Sequence, residues 1–123
     1  MKQTLNEIEI NGVVYVPKND SASLAPATDG MPLVIVRASS SGVHYGYLKS
    51  RKDTEVELVN ARRLWYWKGA CSLSQLATEG SKNTSECKFS VPVPMMTVLG
   101  VCEVLTVTNE AKKNIDGVPQ WKS

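Results

Sequence analysis

The chain has 123 residues, 42% of them hydrophobic and 21% charged, a balance that suits one folded domain and excludes wholesale disorder. Its formal net charge of +2 is too small to demand a nucleic-acid or membrane partner. No apolar stretch reaches the roughly 20 residues of a membrane span, and the first residues do not resemble a signal peptide.

In chain order, Ile8-Glu9-Ile10-Asn11-Gly12-Val13-Val14-Tyr15-Val16 predicts a β-hairpin, because Asn-Gly accepts the positive φ angles of a two-residue turn and β-branched residues flank it. The hairpin is expected to occupy residues 1–17 and to end at Pro17. Residues 18–31, rich in Ser, Ala, Asp and Pro, read as a linker or loop. A β-rich globular domain is expected over residues 32–123. Leu33-Val34-Ile35-Val36 suits a buried strand. From Val43 to Lys49 the pattern alternates, with Val43, Tyr45 and Tyr47 on one face and His44, Gly46 and Leu48 on the other. Glu55 to Leu58 alternates as a half-buried strand and continues, extended, to Trp67. Along it, either both faces are covered or a bulge near Asn60-Ala61 flips the register. Ser72 with Gln75 is a capping-box pattern for a two-turn helix that stops at Gly80. Pro92 and Pro94 confine their strand to an edge or a bulge. Val98 to Val107 reads as one long strand bent at Gly100. Asn109 is placed as the cap of a second helix, Glu110 to Ile115, ended by Gly117, and Trp121 as an anchor of the tail.

The expected fold is mainly β to α+β: a single antiparallel sheet or small open barrel with one or two short helices. Cys71, Cys87 and Cys102 form no C-x-x-C pair and read as reduced thiols in a cytoplasm. Cys71 and Cys102 lie in apolar runs and are expected as small core residues, with Cys87 partly exposed.

Catalytic chemistry is poorly represented. There is no G-x-S-x-G elbow and only one histidine, His44, which on a strand reads as structural or surface-exposed rather than as a base. One His and three scattered Cys give no zinc spacing, and no Walker or dinucleotide fingerprint occurs. No catalytic residue, metal or cofactor is therefore expected, and an enzyme is the least favoured class.

Two segments carry binding chemistry. In Arg62-Arg63-Leu64-Trp65-Tyr66-Trp67, arginine forks match phosphates and indoles stack on bases. The competing reading is a core strand with tryptophans buried and arginines packed along them. In Arg37-Ala38-Ser39-Ser40-Ser41-Gly42, hydroxyls and main-chain N–H groups on a Gly-containing turn beside an arginine suit an anion, against the plainer reading of a polar hairpin turn. The candidate ligand-binding set is Arg37, Ser40, Ser41, Gly42, Arg62, Arg63, Trp65 and Trp67. It gains meaning only if the sheet brings the two segments together.

From Leu33 to Trp121 the chain resembles a group of small bacteriophage and prophage proteins. The resemblance rests on Val34-Ile35-Val36-Arg37, Gly46-Tyr47-Leu48, Gly69-Ala70-Cys71, Val118-Pro119-Gln120-Trp121 and above all Asn60-Ala61-Arg62-Arg63-Leu64-Trp65-Tyr66-Trp67. It implies a viral origin and a bacterial host cytoplasm, and it carries over no functional residue. In that setting the expected function is a counter-defence binding protein that sequesters a nucleotide-derived, phosphate-bearing signal. The alternatives are an inhibitor of a host protein, or an oligomeric accessory factor using its Trp-rich strand as an interface, and then a nucleic-acid-binding module. A homo-oligomer is compatible with each, and a membrane partner with none.

Overall fold

Leu33, Val34, Ile35 and Val36 are all buried, although neighbours on a strand point to opposite sides. Both faces of the sheet must therefore be covered, and the topology explains how. The computed structural model describes residues 8–10, 13–15 and 23–123. Strands β1 (Ile8–Ile10) and β2 (Val13–Tyr15) pair antiparallel with Ile10 opposite Val13. Residues 1–7, 11–12 and 16–17 of the expected hairpin, and residues 18–22 of the expected linker, lie outside the described residues. Residues 23–25 are tied to the body: Ala25 N–H donates to Val107 O at 2.9 Å and Asn109 N–H to Ser23 O at 2.8 Å.

The main sheet contains β3 (Leu33–Ala38), β4 (Gly42–Lys52), β5 (Glu55–Tyr66), β6 (Lys88–Phe89), β7 (Val93–Val98) and β8 (Val101–Thr106). Its order is β6-β5-β4-β3-β8, with β7 also paired to β5, and every pairing is antiparallel. Two helices, α1 (Leu73–Glu79) and α2 (Asn109–Asp116), complete the described elements, with a 3-10 turn at Thr84–Glu86. This is the mainly β, single open sheet with two short helices that the strand pattern predicts.

The expected long strand over 98–107 is instead two strands on different edges of the sheet. β7 hydrogen-bonds to β5, β8 to β3, and only Leu99 and Gly100 separate them. Three Cα steps span at most about 11 Å, so the sheet curls until these edges approach at one corner. Gly100 makes the corner with φ +70°, a conformation that costs other residues energy. Ser39 N–H donates to Gly100 O and Val101 N–H to Thr54 O, at 3.0 and 2.8 Å, tying two hairpin turns to the same corner.

The curl creates two cores. Inside it pack Val34, Val36, Ala38, Val56, Leu58, Ala61 and Val98. On the outer face Leu33, Ile35, Tyr45, Leu64 and Phe89 meet the helices through Leu76, Ala77, Ala111 and Ile115.

The register left open along β5 is resolved by a bulge. Tyr45 faces Arg62 while Tyr47 faces Val59, so Gly46 lies opposite both Asn60 and Ala61. Asn60 has φ +54°, a left-handed conformation that Asn tolerates better than most residues. A Cβ on Gly46 would sit 3.1 Å from Ala61 Cα and 3.2 Å from Val59 O, so any larger residue opposite the bulge would press on backbone and push the two strands apart by a few tenths of an ångström. Past the bulge, Ala61 turns inward and Arg62 and Leu64 turn toward the helices.

Ser72 caps α1, its side chain accepting from Gln75 N–H at 3.1 Å. The cap of α2 is Thr108, one residue before the expected Asn109, and it accepts from Ala111 N–H at 3.1 Å. Its hydroxyl also donates to Thr78 O at 2.6 Å, a contact to α1 that Asn109 has no position to make. Cys71 and Cys102 are exposed rather than core residues: Cys71 precedes the α1 cap, and Cys102 lies on edge strand β8. Cys87 is half-buried, as its polar surroundings predict.

Candidate functional site

The strand-swapping effect of the bulge decides which arginine meets which surroundings. Arg62 and Arg63 are consecutive, so they face opposite sides of β5. Arg62 is buried at 6% exposure. Its Nε donates to Ser90 O at 2.8 Å, its Nη1 to Ile115 O at 3.2 Å, and its Nη2 to Phe89 O and Val118 O at 3.2 and 3.1 Å. The guanidinium also lies over the Phe89 ring, 5.6 Å from its centroid. It joins β5, β6 and the C-terminal end of α2, where a cation is favoured by the helix carbonyls. The geometry gives Arg62 a structural task.

Arg63 turns to the inner face, opposite His44 on β4. Its Nε is buried and makes no hydrogen bond among the described residues. The two ion pairs formed among them, Arg37–Glu103 and Lys112–Asp116, leave it out. His44 is 1% exposed. Its Nε2 lies 2.9 Å from Ser41 Oγ, and its Nδ1 is buried with no partner among the described residues. Burial first, and the neighbouring Arg63 charge second, pull the His44 pKa from 6.5 down to about 4, so the ring is neutral at pH 7. Buried polar atoms are almost always satisfied within the fold, and two unpaired nitrogens on facing residues mark this spot as an exception.

The spot opens to the surface. A cleft of about 490 Å3 is lined by Ser40, Ser41, His44 and Arg63 on one side and by Met96 to Gly100 on the other. An adjoining cleft of about 280 Å3 is lined by Ser40, Ser41, Gly42, Val43, Arg63, Leu64 and Trp65. The first lies within the roughly 300–1,000 Å3 typical of ligand sites. The second falls just short and reads as its extension. Ser40, Ser41 and Arg63 belong to both and form the ridge between them.

Of the residues expected at a site, Ser40, Ser41, Gly42, Arg63 and Trp65 are thus brought together. Arg37 is elsewhere, at a half-exposed ion pair with Glu103 at 2.9 Å. Trp67 packs, partly buried, against the helix-side core, and Arg62 is held as described above. Trp65 is 60% exposed and stacks with Trp121 at a centroid separation of 6.3 Å. His44, expected to be structural or surface-exposed, is buried and also lines the larger cleft. The clue in the sequence was its place on the same strand face as Gly46 and Leu48, but its opposite number depended on the bulge. Met96 and Leu99 were also missed, because a single long strand over 98–107 would not have brought them near Ser41. The described residues contain no group of three or more His, Cys, Asp or Glu able to hold a metal.

Fold and site together define a curled, mainly β domain with helices on its outer face and a basic cleft at the mouth of the curl. The chain belongs to the family described as a domain of unknown function (DUF6948), matched over residues 31–115. That span contains every residue lining both clefts and leaves out Trp121 and the β1–β2 hairpin. No curated protein and no solved structure matches the chain. No helix among the described residues is long and apolar enough to cross a membrane.

Proposed function

We propose that the domain is a binding protein for a small phosphate-bearing, ring-containing ligand derived from a nucleotide, and that it holds this ligand without chemically changing it. The observation that carries the reading is the meeting of Arg63, the Ser40-Ser41-Gly42 turn and Trp65 around two adjoining clefts, with Arg63 Nε buried beneath them and unpaired among the described residues. A guanidinium and serine hydroxyls suit a phosphate, and an exposed indole suits a base. In the bacteriophage setting implied by the sequence resemblance, such a protein would sequester a nucleotide signal of host defence.

Thermal unfolding with nucleotides tests this. A ligand present at 100 times its Kd should stabilise the domain by about 2.7 kcal/mol. Arg63→Ala should remove that gain and weaken affinity about tenfold or more, since hydrogen bonds to charged groups contribute about 1.5–3 kcal/mol. The ligand recovered after denaturation should be chemically intact. No stabilisation by any nucleotide at millimolar concentration would overturn the reading.

A second reading is favoured by a different observation. Trp65, Tyr66 and Trp121 are all exposed, with Lys88 Nζ 5.5 Å from the Trp121 ring centroid and 6.0 Å from that of Tyr66. Aromatic clusters of this kind suit a protein interface, and the partner would be a host protein. Trp121→Ala would then abolish partner capture while leaving nucleotide-induced stabilisation intact.

A further inference from the structure

We infer that the ligand is a phosphodiester, seated with its single charge on the Ser40–Ser41–Arg63 ridge and one ring-bearing group in each of the two clefts beside it. This rests on the reading above and narrows it.

Three features of the site carry the inference. The ridge residues are the ones that both clefts share, so an anion placed there has an open compartment on either side. A phosphomonoester has one organic substituent and fills one of them; a diester has two. The compartments also differ in chemistry. The larger offers the apolar side chains of Met96, Val98 and Leu99 together with Thr97 and the Ser40 and Ser41 side of the turn, which suits a ring with a polar edge. The smaller offers Gly42, Val43 and the exposed Trp65, which suits stacking.

Charge agrees with shape. Among the described residues Arg63 is the one ionised side chain lining either cleft, because His44 is neutral at pH 7. Arg37 is held by Glu103 outside them, and Arg62 is held by carbonyls on the opposite sheet face. One guanidinium matches the single charge of a diester better than the two charges of a monoester near neutral pH.

The test uses three probes on the full chain by calorimetry: 5′-AMP, its methyl ester, and the dinucleoside monophosphate ApA, with guanine counterparts in parallel. The methyl ester has the diester charge and one base; ApA has the same charge and two bases. ApA, or its guanine counterpart, should bind about tenfold or more tightly than the methyl ester, the effect of one stacked base. The methyl ester should in turn match or exceed the monoester. Trp65 and Leu99 are exposed, so Trp65→Ala and Leu99→Ala should fold normally and each reduce ApA binding several-fold. The double variant should bind ApA no better than the methyl ester. A monoester that binds as tightly as the dinucleotide would overturn the diester inference and leave the nucleotide reading standing. Failure of all probes would overturn both.

Discussion

Arg62 and Arg63 are adjacent in the chain and opposite in circumstance. The first is enclosed on the helix-covered face, its fork satisfied by carbonyls from β6, α2 and the segment after it. The second sits at the mouth of the curl with its Nε unpaired. The same side chain is structural on one face and available on the other. What assigns the roles is a single inserted residue, Asn60, that sets the phase of the strand.

The sharpest way to break this comparison is to remove each arginine. Arg62→Ala leaves several buried carbonyls without a donor, so chemical denaturation should register a loss of about 3 kcal/mol or more. Arg63→Ala deletes an unpaired buried donor and should change stability by no more than about 0.5 kcal/mol. Equal losses would abolish the distinction.

A titration of comparable size sharpens the cleft side. The folded pKa of His44, about 4, lies below its ordinary 6.5, so between those values the unfolded chain binds a proton that the folded chain refuses. Stability therefore rises with pH through this window and is lost as pH falls from about 6.5 to 4, by as much as about 3 kcal/mol in total. Urea unfolding at pH 5 and pH 6.5, above most carboxylate titration, should show this slope in the native protein and a smaller one in His44→Gln. A slope unchanged by the substitution would place its origin elsewhere.

Gly46→Ala probes the bulge itself. Its Cβ would press on Ala61 Cα at 3.1 Å and Val59 O at 3.2 Å, and backbone cannot yield as a side chain does. A loss of about 2 kcal/mol is expected, in the range of overpacked sites. Smaller again is Thr108→Ala, which removes the α2 cap and the link to Thr78. It should cost about 1 kcal/mol and leave ligand affinity unchanged, since Thr108 lines neither cleft.

The legible parts of the sequence were those governed by short-range rules. The alternation from Val43 to Leu48, the Ser72–Gln75 cap and the burial of the strand Leu33 to Val36 all follow from residues a few positions apart. Ser40, Ser41, Gly42, Arg63 and Trp65, singled out residue by residue in the sequence, do line the two clefts. What was hidden is what depends on distant pairing. Whether Arg62 or Arg63 faced the cleft turned on one residue of phase. Cys102 looked buried because its neighbours are apolar, yet an edge strand exposes one side of such a run. His44 came to line a cleft only through Arg63 across the sheet and Met96 to Leu99 across the cleft.

The Leu99–Gly100 corner also bears on how the domain assembles. Val98 is registered against Val56 and Val101 against Ala38, so one short connection is stitched simultaneously to strands that lie two apart in the sheet. Neither seam can form fully until residues from both halves of the chain have arrived, and neither can fray without loosening the other. Amide protons of Val56 and Ala38 should therefore exchange through a common opening event, and the larger cleft, which has that same corner in its wall, should exist only in the completed molecule.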